Sequence, residues 1–233
     1  MVDQWKVFIG YSNQDENYAE FLRRCLERIV EIIPYKAEFY KEFGGDFKQR
    51  IQRELYQSHF MVVLLTENGK NSQWVNQEIG FAHGLKVLEK NRVQPYIIPI
   101  SNKTVELKGF ITKDSCDFIV IEDVGSFELV VANVIATIRQ HLKNGWKENA
   151  LTMRVTCPNC LDDKGLPLIF FAKVPSSETI TNGVRYDKCF MPITCPSCKK
   201  ANLIDIRTFL PATQTNQNPL TSPNSNQEST KII

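Results

Sequence analysis

Two cysteine pairs constrain the last third of this chain more than any other feature. They are Cys157-Pro-Asn-Cys160 and Cys195-Pro-Ser-Cys198, with 34 residues between them. Each pair can present two thiolates from one tight turn, and four thiolates close a tetrahedral zinc shell. A closed shell leaves no open coordination position, so a structural ion is expected, with dithiol redox chemistry as the alternative. The count of seven cysteines is odd and also favours metal ligation over a disulfide framework. Cys189 lies near the second pair and is read as a buried strand cysteine, substitution for a ligand being the other reading.

The first 143 residues carry a different signal. Short β-rich runs alternate with longer helical patterns, which is the mark of a parallel sheet covered by helices. The strand candidates are 6–10, 36–39, 60–66, 95–100 and 117–121, enough for one five-stranded sheet. Apolar residues from Tyr18 to Ile33 recur at helical spacing and predict one helix ended by Pro34. Further helices are expected over 46–57, from a Ser72 cap to about Leu88, and over 126–142. In such a fold the loops after the strands share one edge, where open α/β sheets bind ligands.

Composition narrows the function classes. The chain is 42% hydrophobic and 23% charged, its longest apolar runs are too short to span a bilayer, and its start lacks a signal-peptide pattern. A cytoplasmic protein is expected. Net charge is +2, and the excess of basic residues after Ala150 is too small to argue for nucleic acid by itself. The run 43–46 lacks the spacing of a phosphate loop, which argues against nucleoside triphosphate hydrolysis. His59, His83 and His141 have no nucleophile at a catalytic spacing and are read as structural or surface histidines. From Pro211 onward 17 of 23 residues are Asn, Gln, Ser, Thr or Pro, so residues 211–233 are expected to be a disordered tail.

The cysteine-bearing segment, with its apolar run 166–174 and a turn-like stretch at 176–183, resembles a zinc ribbon over residues 153–210. The organisation expected is thus a first domain at 4–143, a linker at 144–152, a small β module at 153–210, and the tail. Zinc ribbons contact nucleic acid or protein, so the module implies a partner of one of those kinds.

After the central strand comes Ser72-Gln73-Trp74-Val75-Asn76-Gln77-Glu78. Trp74 and Glu78 are four apart and share a helix face. Alone, the spacing favours a tryptophan packed on the sheet and a glutamate near a helix N-terminus over a catalytic pair. Its surroundings are more telling. Val7-Phe8-Ile9-Gly10-Tyr11-Ser12 with Gln14-Asp15-Glu16 resembles the first conserved box of the Toll/interleukin receptor (TIR) family. Residues 40–46 resemble that family's BB loop, 58–66 its central strand, Trp74 to Glu78 the Trp-x-x-x-Glu motif of its enzymatic branch, and 96–100 the strand after it. Gly10 departs from the more usual serine, and the BB-like loop lacks the proline common in adaptor members.

The resemblance implies a flavodoxin-like parallel sheet and cleavage of NAD at the nicotinamide–ribose bond, giving nicotinamide with ADP-ribose or a cyclic isomer. Glu78 is then the catalytic carboxylate and Trp74 packs the substrate. Tyr11, Ser12 and Asn13 line the nucleotide, and Phe43 and Gly44 close over it. The small stand-alone architecture looks like prokaryotic members that serve antiphage immunity, and self-association is a family habit. The alternative is a non-enzymatic module that assembles with other TIR domains, its ribbon binding a nucleic-acid or protein partner.

Overall fold

Strands buried residue after residue need a layer of helices on each face of their sheet. The structure, a computed structural model, describes residues 4–37, 45–88, 95–102, 119–121, 127–143 and 151–212. The first unit runs β1 (Trp5–Gly10), a 3-10 turn (Asn13–Asp15), α1 (Glu16–Leu26), β2 (Ile32–Lys36), α2 (Gly45–Gln57) and β3 (Phe60–Leu65). It continues with α3 (Glu67–Asn71), α4 (Gln73–Leu88), β4 (Tyr96–Asn102), β5 (Ile119–Ile121) and α5 (Phe127–Lys143). All pairings are parallel, in the order β2-β1-β3-β4-β5, with β5 a three-residue edge strand.

β3 is buried along its whole length, as a central strand must be. Phe60, Val62 and Leu64 join Val7 and Ile9 beneath α1 and α5. Met61, Val63 and Leu65 join Phe8 on the other face with Ile51 and Leu55 of α2 and Val75, Ile79 and Ala82 of α4. Each such fully buried aliphatic side chain stabilises the fold by roughly 1.5–3 kcal/mol relative to exposure.

Three sequence expectations are corrected. The helix expected to reach Ile33 stops at Leu26, and β2 occupies 32–36 rather than 36–39. Ile29, Ile32 and Ile33 are β-branched, and Pro34 is tolerated because β2 lies at the sheet edge. The loop after β3 contains the short α3, capped by Thr66, whose side chain accepts from the Asn68 and Gly69 amides. The turn-like stretch after Val174 is the helix α6 (Ser177–Arg185), capped by Ser176 on the Thr179 amide.

α6 separates two hairpins, β6 (Thr152–Leu161) with β7 (Pro167–Lys173) and β8 (Phe190–Thr194) with β9 (Ala201–Asp205). Their buried side chains are continuous with the core of the first unit. Met153, Val155, Phe170, Ile180, Ile204, Phe209 and Leu210 belong to the same buried cluster as Val7, Leu22 and Ile135. The Val30 amide donates to the Thr152 carbonyl at 2.8 Å and the Arg154 amide to the Arg28 carbonyl at 2.7 Å. Arg139 of α5 donates to the carbonyls of Pro175 and Val174 at 2.6 and 3.1 Å. Arg207 bridges Asp205 and Glu128 of α5. Most of the proposed linker and the tail after Ala212 lie outside the described residues. Among the described residues no helix is long and apolar enough to cross a membrane.

Candidate functional site

The order 2-1-3-4-5 reverses direction between β1 and β3, and the crevice at the carboxyl ends of those strands is the expected ligand position. A cleft of about 480 Å³ lies there. Tyr11, Ser12, Asn13 and Gln14 from the loop after β1 form one wall. Glu67, Asn68, Asn71 and Ser72 around α3 form the other, and Trp74 of α4 closes one side. Thus Tyr11, Ser12, Asn13 and Trp74 meet in one place. Phe43 and Gly44 lie outside the described residues.

Asp15 joins the two walls, and nothing in its sequence position announces this. Its carboxylate accepts from Ser12 Oγ at 2.6 Å, Thr66 Oγ1 at 2.7 Å and Asn68 Nδ2 at 3.2 Å. It is 2% exposed, so these bonds replace its water. The Tyr11 hydroxyl donates to the Ala37 carbonyl, fixing the phenol as a buried floor. Gly69 has its own constraint: a Cβ there would stand 2.0 Å from the Leu64 carbonyl oxygen. Gly69→Ala is therefore expected to lower stability by about 2 kcal/mol or more, read by urea denaturation, because backbone must move.

Glu78 sits one turn beyond Trp74 and is 4% exposed, behind the cleft wall rather than on it. Its Oε2 has no hydrogen-bond partner among the described residues. Burial pushes its carboxyl well above the usual carboxylate range, against an opposing pull from the Trp74 indole. The departure at Gly10 now has a physical reason. A Cβ on Gly10 would lie 3.0 Å from Glu78 Oε2 and 3.1 Å from Met61 Cε, so the missing side chain makes room for the carboxylate.

The three histidines play no part in this cleft. His59 Nδ1 accepts from the Lys6 amide at 3.1 Å and its ring meets Trp5 edge-on, a structural role. His141 lies against Tyr96.

At the other end of the chain the four sulfurs of Cys157, Cys160, Cys195 and Cys198 lie within 4.8 Å of one another. The pairs Cys157–Cys198 and Cys160–Cys195 are 3.6 and 3.9 Å apart. Sulfurs around a tetrahedral ion with bonds of about 2.3 Å are spaced by about 3.8 Å, whereas a disulfide needs about 2.05 Å. The set fits a metal. Backbone amides of Cys198 and Ser197 hold the Cys195 thiol down at about 7, which favours the thiolate a metal requires. Cys189 stands apart, its sulfur 4.0 Å from the Gly183 carbonyl oxygen.

No curated protein matches the chain. The doubly wound sheet, the loop after β1 facing α3 and α4, and the Trp74–Glu78 turn agree with a match of residues 7–122 to the family model of the TIR domain, and this part of the chain belongs to the TIR family.

Proposed function

We propose that this protein cleaves NAD at the bond between nicotinamide and ribose, with Glu78 as the catalytic carboxylate. The observation that carries the reading is the buried, unsatisfied Oε2 of Glu78 behind Trp74 at the switch-point cleft. Stability alone selects against such a group, since an unpaired buried polar atom costs about 1–3 kcal/mol.

The chemistry asks for one carboxylate. The C1′–N bond breaks with its electron pair passing to the pyridinium nitrogen, so nicotinamide leaves neutral and needs no general acid. The ribosyl fragment becomes an oxocarbenium-like cation, which an ionised Glu78 stabilises across a dry gap. Water then adds at C1′ and releases a proton, giving ADP-ribose, or a nucleophile of the same molecule adds and gives a cyclic isomer. Trp74 supports the cationic ring and excludes water. Ser12 and Asn13 hold the nucleotide, Tyr11 forms the floor, and Phe43 and Gly44 complete the cover.

Burial makes the proton on Glu78 part of the mechanism. The carboxyl of the free protein stays protonated above the ordinary range, and the arriving pyridinium charge lowers its pKa. Accordingly kcat/KM is expected to rise with pH to an apparent pKa higher than that seen in kcat, because the latter reports the loaded site. Gly10→Ala is expected to displace the carboxylate and lower kcat/KM by about tenfold or more with the fold retained, measured by nicotinamide release beside circular dichroism. The direct test is NAD turnover by the metal-loaded protein followed by mass spectrometry. Nicotinamide from the wild type and none from Glu78→Ala establishes the activity.

In this reading Cys157, Cys160, Cys195 and Cys198 hold a structural zinc, the protein works in the cytoplasm, and self-association of TIR domains assembles the active form. The setting is prokaryotic antiphage defence. The burial of Glu78 also favours a second reading, a TIR–TIR interaction module in which the carboxyl never reaches a substrate and the ribbon carries the partner. NAD left intact at high protein concentration, with assembly unaffected by Glu78→Ala, supports that reading.

A further inference from the structure

A second cleft, of about 460 Å³, lies at the opposite edge of the sheet, where the first unit meets β6. Three guanidinium groups line it: Arg24 and Arg28 from the end of α1, and Arg154 from β6. Ile33 and Pro34 of the edge strand β2, with Leu210, supply an apolar flank. Glu27, the acid among the lining residues, pairs through its carboxylate with Arg23, so its charge is already partly answered. Burial lowers the proton affinity of Arg28, and the charges of Arg24 and Arg154 lower it further against an opposing pull from Glu27.

Two of the three have internal duties. Arg154 donates to the Glu27 carbonyl at 2.8 Å, and Arg28 reaches Thr156 Oγ1 at 3.4 Å. Those contacts hold the Arg28 and Arg154 guanidinium groups in place through neutral acceptors, while the charge of Glu27 acts on Arg28 within the cleft lining. Rigid, mutually repelling cations around a concave space are relieved most by a polyanion, and guanidinium forks match phosphate oxygens. A flank of Ile33 and Pro34 adds apolar contact for something larger than phosphate alone.

We propose that this junction cleft binds a phosphate-bearing nucleotide, its phosphates on Arg24, Arg28 and Arg154 and its nucleoside against Ile33 and Pro34. The site is separate from the NAD cleft, so it stands or falls independently of the activity proposed above. α1 links them: its first residues follow the Asn13–Asp15 turn at one cleft, and its last turn supplies Arg24 near the other.

The test is calorimetric titration of the full-length, zinc-loaded protein with ADP and with pyrophosphate at about 50 mM salt, where surface charge is incompletely screened. ADP is expected to bind, and more tightly than pyrophosphate. Arg24→Gln and Arg154→Gln are each expected to weaken it about tenfold. Ile33→Glu, which leaves the arginines in place at an exposed edge position, is expected to weaken it similarly and covers the case in which an arginine variant fails to fold. Trp74→Ala removes ADP that occupies the other cleft and leaves this binding intact. No ADP binding, or binding unchanged in the arginine variants, overturns the proposal. Equal affinity for pyrophosphate overturns the nucleoside contact, and binding of a single-stranded oligonucleotide without ADP overturns the assignment to a nucleotide.

Discussion

Glu78→Gln is expected to cut nicotinamide release from NAD by about 100-fold or more and, in the same protein, to abolish a loss of stability on raising pH. The first effect follows because a neutral amide cannot stabilise a ribosyl cation, and removing one preorganised electrostatic partner typically costs about 10²–10³ in rate. The second follows from linkage. The unfolded chain ionises Glu78 near 4.5, whereas burial keeps the folded carboxyl protonated to higher pH. Below 4.5 both states carry the proton and the wild type pays nothing. As pH climbs from 4.5 toward the raised folded pKa, folding must take up a proton that the unfolded chain has released, and stability falls until the folded carboxyl ionises as well. Glutamine has no proton to lose. Urea denaturation at pH 4.5 should therefore find the two proteins alike, and at pH 8 should find the variant more stable by about 1–3 kcal/mol. A dead variant that is also less stable at pH 8 would place Glu78 in the structure rather than in the chemistry.

What the sequence made legible is what simple periodicity and fixed spacing encode. β1, β3, β4 and α2 stand within two residues of their expected positions, because a buried parallel strand reads as an apolar run and an amphipathic helix keeps its period. The four cysteines converge as their spacing requires. Other features depend on tertiary context. β2 is a strand only because an edge lies open for Pro34, and the same isoleucines fit a helix equally well. Asp15 reads as one acid in an acidic run, yet its three hydrogen bonds come from residues 3, 51 and 53 positions away. Gly10 reads as a departure from its family. Its use is visible only when the Glu78 carboxylate is seen 3.0 Å from where a Cβ would stand.

The least legible feature was the join between the two units, and it sets the second large expectation. A ribbon on a flexible linker would lose its metal and unfold alone, leaving the TIR domain unaffected. Here the hydrophobic cluster runs without a break from Val7 and Leu22 to Val155, Cys157 and Cys195. Met153 pairs with Ile29 as an isolated bridge, and Arg207 ties the end of β9 to Glu128 on α5. Metal binding of the structural kind is worth about 10–16 kcal/mol to a zinc-dependent fold, and the two short hairpins here have little core of their own to replace it. Chelation, or Cys195→Ser, is thus expected to expose the underside of α1 and α5 and to lower the melting temperature of the whole chain by about 10 °C or more. The readout is fluorescence of Trp5 and Trp74 in the first unit, with the third tryptophan removed as Trp146→Phe, together with circular dichroism. A single transition that moves with metal content is the expected result. Two transitions, with the tryptophan signal indifferent to metal, would show that the shared core contributes little and that the ribbon is an independent module. If the single transition holds, a partner that loosens the ribbon also loosens α1, the helix that starts directly after Asp15 beneath the proposed NAD site.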